Sequence, residues 1–182
     1  MKGVILDFQS SQTYINLQNA LKNEFETSTK YDMFGVQARD EALIEVSNIF
    51  NNISENQILI AQRLWGLIND GDTTTLENLR DAASDEEYAE RELYREYSRV
   101  ALEEGYDDLS QLFNGIANIK LNHTVVFQTT AAELEDGSMF CKEEEGLWLC
   151  LGCGNILIGL CAPEICPICL KPQSYYQFLR YY

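Results

Sequence analysis

Cys150-Leu151-Gly152-Cys153, then twelve residues, then Cys166-Pro167-Ile168-Cys169: this stretch organises the rest of the chain. Each C-x-x-C hook offers two thiolates from a tight turn, and two hooks at this separation make a tetrahedral four-sulfur site for zinc or a single iron. Gly154 follows the first hook, Pro163 and Pro167 shape the second, and the apolar run Ile156-Leu157-Ile158 lies between them. The signals here are those of short β-hairpins. Cys141 and Cys161 lie outside the hooks and read either as spare thiols or as a labile disulfide.

The chain has 182 residues, enough for one good core with a small appendage or for two modest domains. All six cysteines fall between positions 141 and 169. Met1-Lys2-Gly3 leads into only three apolar residues before Asp7, which is no signal peptide. No apolar run approaches the ~20 residues that span a membrane. A reducing cytoplasm is the expected setting, where paired C-x-x-C motifs bind metal more often than they form disulfides. The formal charge is −16, and residues 1–136 carry −15 of it, with 10 Lys and Arg against 25 Asp and Glu. Such a field disfavours nucleic acid and anionic membrane as partners.

Upstream of the hooks the apolar period is helical. It runs from about Thr13 to Arg39 and from about Asp40 to Asn69, where Asn69-Asp70-Gly71-Asp72 breaks it. Thr74 and Glu77 form a capping box for a third helix over 75–104. Gly105 ends that helix, and Asp107 or Asp108 caps a fourth running to Glu135. Its inner stripe holds Leu109, Leu112, Phe113, Ile116, Ile119, His123 and Phe127. The expected fold class is mainly α: an antiparallel four-helix bundle over residues 1–137, then a small β metal domain over 138–182. A longer crossover is expected between the second and third helices. The two halves of the bundle also echo each other. Asn16-Leu17-Gln18-Asn19-Ala20 is matched by Asn78-Leu79-Arg80-Asp81-Ala82, with Glu24 and Glu86 each eight residues after the leading asparagine.

Over nearly its whole length the sequence resembles the rubrerythrin family. Trp148 to Gly154 and Ala162 to Cys169 look like that family's rubredoxin-like module, and Asn16-Leu17, Ala20 and Glu24 like the start of its ferritin-like domain. Ala61 to Trp65, Leu93 to Tyr97, Glu104-Gly105-Tyr106 and Ile116-Ala117 match its later helices. The resemblance implies a di-iron carboxylate centre that reduces hydrogen peroxide, with an iron held by four cysteines relaying electrons. It also implies a head-to-tail homodimer.

Position by position, the resemblance keeps metal ligands at Glu24, Glu86 and His123. Elsewhere the sequence departs from the family's ligand set. Gln57 and Ile60 stand where the second helix has a glutamate and a histidine, Ala89 replaces a third-helix carboxylate, and Lys120 takes the fourth helix's glutamate position. Two irons carry about four positive charges and need four or more carboxylates. The sequence therefore predicts one iron (or zinc) at Cys150, Cys153, Cys166 and Cys169, a lost di-iron centre, and electron transfer as the remaining chemistry. It also predicts Lys120 between Glu24 and Glu86 as a counter-charge. Two other readings stand beside this one: a peroxide reductase with an altered di-metal site at Glu24, Glu86, His123 and Glu90, and a non-catalytic protein with structural zinc. Tyr31 and Tyr94 match family tyrosines and also suit core aromatics with a bonded hydroxyl. The redox partner is not named by any residue pattern.

Overall fold

A computed structural model describes residues 7–69, 71 and 73–179; most of the expected lead-in, residues 1–6, lies outside them. The chain divides into two compact units, Met1–Thr73 and Thr74–Tyr182.

The first unit is a helical hairpin of α1 (Gln12–Asp40) and α2 (Ile44–Ile68). Ser11 caps α1, its hydroxyl accepting from the Tyr14 N–H at 3.1 Å. The second helix starts at Ile44 rather than near Asp40. The chain turns between them through Ala42 in the left-handed region (φ 61°), and the Leu43 N–H closes on the Ala38 carbonyl at 2.8 Å. The seam of the hairpin is made of small residues: Ser28, Gly35 and Ala38 with Leu21 on α1, and Ser47, Ser54 and Ala61 on α2. The spacing of seven in Leu21-Ser28-Gly35 and in Ser47-Ser54-Ala61 keeps one face of each helix against the other, and the small residues bring the backbones close. Ser54 Oγ donates to the Ser28 carbonyl at 2.9 Å. A Cβ at Gly35 would collide with the Asn51 side chain and lie 3.4 Å from the Ser47 carbonyl oxygen. The large apolar residues of α2 stand beside this seam. Val46, Ile49, Ile53, Ile60 and Leu67 are 39 to 51 % exposed.

The expected longer crossover after α2 is not there. Only residues 69–74 separate Ile68 from Thr75, and both ends serve as caps. The Gly71 N–H returns to the Gly66 carbonyl at 3.2 Å, and Thr74 and Glu77 close the capping box that the sequence predicts.

In the second unit α3 (Thr75–Tyr88), a π-helical segment (Ala89–Tyr94) and α4 (Arg95–Glu103) follow without a gap. They pack on α5 (Asp107–Glu135). The third helix is thus not a uniform α-helix over 75–104. The wider π turn accommodates one extra residue and shifts the facing by a step, and Glu90 is buried within it. Small residues again make the seam, with Ser110, Ala117, Thr124 and Ala131 at intervals of seven on α5 and Ala83 and Ala101 opposite. Ser98 Oγ donates to the Ser110 carbonyl at 2.9 Å. Part of the stripe that the sequence assigns to the inside of α5 stands open: Leu109, Leu112 and Ile119 are 47 to 55 % exposed.

Three antiparallel strands follow, β1 (Cys141–Cys150), β2 (Ile156–Cys161) and β3 (Tyr176–Leu179), in the order β2-β1-β3. Their core is Trp148, Cys150, Ala162, Cys166 and Tyr176. Trp148 packs edge-on against Phe178 at 4.9 Å, and its Nε1–H donates to the Gly159 carbonyl at 3.1 Å. Lys142 on β1 reaches Glu133 on α5 at 2.9 Å. Cys141 and Cys161 are cross-strand partners on β1 and β2 and form a disulfide rather than two spare thiols. Among the described residues, no helix is long and apolar enough to cross a membrane.

Candidate metal centre

The first hook begins where β1 ends, and the second forms its own turn. In both, the residue after the second cysteine donates its N–H to the carbonyl of the first: Gly154 to Cys150 at 2.8 Å and Leu170 to Cys166 at 3.0 Å. Both of these residues are left-handed, at φ +77° and 60°. Gly152 lets the hooks approach, because a Cβ there would lie 3.4 Å from Cys169 Sγ and 3.0 Å from Lys171 Cγ. The sulfurs of Cys150 and Cys169 are 3.6 Å apart and those of Cys153 and Cys166 are 3.7 Å apart. All four lie within 4.8 Å of one another. A tetrahedron with metal–sulfur bonds of about 2.3 Å has edges of about 3.8 Å. The residues present therefore fit a tetrahedral thiophilic metal.

Cys150 and Cys166 are buried, Cys169 is half-buried and Cys153 is exposed, so the site has a closed side and an open one. The Tyr176 hydroxyl, beside Cys166 though in no geometric hydrogen bond, and then the Cys169 backbone N–H favour the Cys166 thiolate against burial. Together they lower its pKa to about 6. At Cys153 the Asn155 N–H favours the thiolate, but burial and the three neighbouring thiols outweigh it and push the pKa up to about 12. Four sulfurs this close cannot all ionise without a cation among them, so metal binding and thiol deprotonation occur together.

Among the described residues, the four cysteines are the one group of three or more His, Cys, Asp and Glu side chains that converge. The remaining candidates are arranged differently. Glu86 on α3 meets two partners from α5, Lys120 Nζ at 2.9 Å from its Oε1 and His123 Nδ1 at 3.0 Å from its Oε2. Burial pushes the Glu86 carboxyl up, but the hydrogen bonds and charges of Lys120 and His123 prevail and hold it below its ordinary range. Glu90 does not join this group. It is bound by Arg95 Nε at 2.7 Å, and Arg95 also donates to Asn114 and, at 3.0 Å, to Asn118. In the first unit Glu24 is half-buried on α1, with Oε2 shielded from water and without a hydrogen-bond partner. Gln57 on α2 is half-buried and Ile60 is exposed. Tyr31 packs with Phe34 and Phe50, and Tyr94 with Tyr97 and Phe113, in two half-exposed aromatic clusters.

The sequence reading missed the Arg95–Glu90 pair. Spacing of three or four along an α-helix does not bring Glu90 and Arg95 together, and the signal that does, the π segment between them, has no residue signature.

No family model matches the chain. The sequence is 32 % identical to the rubrerythrin of Clostridium perfringens, over 94 % of this chain and 96 % of that protein. It is 29 % identical to the rubrerythrin of Nitratidesulfovibrio vulgaris, with the same coverage. Among solved structures it is similar to nigerythrin in a mixed-valence state, at 21 % identity and a TM-score of 0.35, covering 97 % of this chain and 91 % of that one.

Proposed function

Because the chain belongs to the rubrerythrin family, we propose that it is an iron protein of that family in which one-electron transfer at the four-cysteine site is the working chemistry and the di-iron centre is lost. The fold class is the family's, ferritin-like helices followed by a rubredoxin-like module. The observation that carries the reading is the Lys120–Glu86 pair at 2.9 Å, an ammonium in contact with a carboxylate that the family gives to metal. A fixed positive charge there repels a second cation and supplies the counter-charge that one would bring.

Iron held by Cys150, Cys153, Cys166 and Cys169 supplies a one-electron couple in an all-thiolate setting. The chain's own residues prepare that setting. Trp148 and Tyr176 exclude water from the Cys150 and Cys166 side, and exposed Cys153 offers the short route for an electron. The Asn155 and Cys169 N–H groups favour thiolate, the form that binds metal. We place the protein in the cytoplasm and take it to work as a homodimer with a redox partner still to be found.

A second reading, a peroxide reductase with an altered metal site, has one observation in its favour: Glu86 and His123 remain in contact at 3.0 Å. One experiment separates the readings. Protein purified without oxygen and loaded with iron should bind about one metal per chain, colour on oxidation and bleach on reduction. Peroxide should reoxidise it no faster than an isolated rubredoxin-like domain. Three irons per chain with saturable peroxide turnover would establish the reductase, and retention of zinc alone without redox colour would establish the structural protein.

A further inference from the structure

The register of the small sheet lays three side chains in a row at its metal end. The central strand is β1. On one side Cys150 pairs with Tyr176, the first residue of β3. On the other, the pairing of Leu149 with Ile156 continues to Asn155, whose carbonyl takes the Cys150 N–H at 2.8 Å. Residues directly opposite on antiparallel neighbours share a face, so Asn155, Cys150 and Tyr176 stand side by side. Cys150 and Tyr176 lie with Cys166 in a core whose members run from Phe140 to Phe178, all in the second unit. The Tyr176 hydroxyl is beside both Cys166 and the Asn155 side chain.

Two polar atoms of this row are left over. Among the described residues, Asn155 Nδ2 and the Tyr176 hydroxyl are shielded from water and have no hydrogen-bond partner. Buried donors are costly to leave so. Their chemistry fixes how they can be satisfied. An amide nitrogen only donates, whereas a phenol donates one proton and also accepts. Asn155 can therefore give to Tyr176, and Tyr176 must pass its own proton to an acceptor. Beside it is Cys166 Sγ, a weak acceptor as a thiol and a strong one as a thiolate. Thiolate is the form that binds metal, so loading the site supplies the acceptor that the row needs.

We infer that in the metal-loaded protein Asn155 Nδ2–H donates to the Tyr176 oxygen and Tyr176 O–H donates to Cys166 Sγ, a two-bond chain through which Tyr176 sets the reduction potential of the four-cysteine site. The inference deepens the electron-transfer reading and rests on it. Reduction adds one negative charge to the iron and its thiolates, and a donor at sulfur stabilises the more negative state more. The chain therefore raises the potential. Asn155 acts through Tyr176, strengthening its bond by polarising the hydroxyl. The proton stays on the tyrosine oxygen throughout.

Tyr176→Phe tests this, because it removes the hydroxyl and keeps the ring. In the iron-loaded full-length protein it should lower the one-electron equilibrium constant about tenfold, about 59 mV in potential, with iron content unchanged. Asn155→Leu should lower it by less, and adding it to Tyr176→Phe should change nothing more. Cobalt-loaded protein gives a readout that needs no iron couple. Its sulfur-to-cobalt charge-transfer band should move to lower energy in Tyr176→Phe, because the donor that held the sulfur electrons is gone. A shifted cobalt band without a reversible iron couple would overturn the electron-transfer reading and leave the hydrogen-bond chain standing. A reversible couple whose equilibrium constant Tyr176→Phe changes by less than about twofold, an unmoved cobalt band, or additive effects of the two substitutions would each overturn the chain itself.

Discussion

Lys120 Nζ stands 2.9 Å from Glu86 Oε1, joining the middle of α5 to the last turn of α3 at side chains only 26 % and 19 % exposed. Partial burial makes this pair worth more than a surface ion pair, since water screens it less and each group would be costly to leave alone. The Glu86 carboxyl titrates below its ordinary range. Its contribution is therefore fully present above the unfolded carboxylate pKa and is lost as pH falls through the folded value. Lys120→Met should cost about 1–2 kcal/mol at neutral pH, and the cost should fade in acid, where Glu86 is protonated in both proteins. Denaturant unfolding at the two pH values measures it. A loss of equal size at both would mean that packing of the lysine stem, not charge, is what the substitution removes.

The four cysteines differ in depth, and the metal should report it. Cys150 is fully buried in the sheet's core while Cys153 faces solvent. Cys150→Ser replaces a ligand and opens the core at once, and should leave less than a tenth of the metal after gel filtration. Cys153→Ser leaves three thiolates and an open corner that water or the serine can fill, so metal should remain bound more weakly. Elemental analysis of both variants decides it, and equal retention would contradict the depth argument.

The left-handed positions after the hooks set a further contrast. Gly154 and Leu170 occupy equivalent places at φ +77° and 60°, but only glycine holds that conformation without strain. Gly154→Ala should cost about 1 kcal/mol, with nothing but backbone strain to blame, because a Cβ there meets open space. Leu170→Gly should cost nothing, since Leu170 is 76 % exposed and gives up little packing. Thermal unfolding of the metal-loaded protein compares them. A destabilised Leu170→Gly would show that the leucine is held by contacts absent from the single chain.

The sequence spoke clearly wherever chemistry depends on residue type at fixed spacing. The hooks, the Thr74–Glu77 capping box and the helix ends near Asp40, Glu103 and Glu135 all stand where the pattern puts them. Helix periodicity does not reveal what a face packs against. The stripe through Ile119 and His123 reads as interior, yet it is open on the chain described by itself, because small residues one step round the helix, Ala117 and Thr124, hold the seam. Connection length was countable all along. The six residues after Ile68 argue against a crossover, and only measured helix lengths give that count its force. The π segment leaves no trace in the sequence, which offers Glu90 only as an alternative ligand for metal, whereas the structure pairs it with Arg95.

Glu90 and Arg95 form another partly buried pair, with the carboxylate side chain 11 % exposed and the guanidinium 37 %. The two partners are therefore not equivalent. Removing Arg95 leaves a largely buried carboxylate with only the longer contact to Arg91 Nε at 3.9 Å, whereas replacing the glutamate with glutamine leaves a guanidinium that can still turn to Asn114, Asn118 and water. Arg95→Met should thus cost about 2–3 kcal/mol, and Glu90→Gln about 1 kcal/mol. The double variant should be more stable than Arg95→Met alone, because neutralising Glu90 removes the stranded charge that makes the single change severe. Urea unfolding of the two single variants and the double completes the cycle. Additive losses would show that Arg95 supports the π segment through packing, and that Glu90 is stabilised by groups other than its guanidinium.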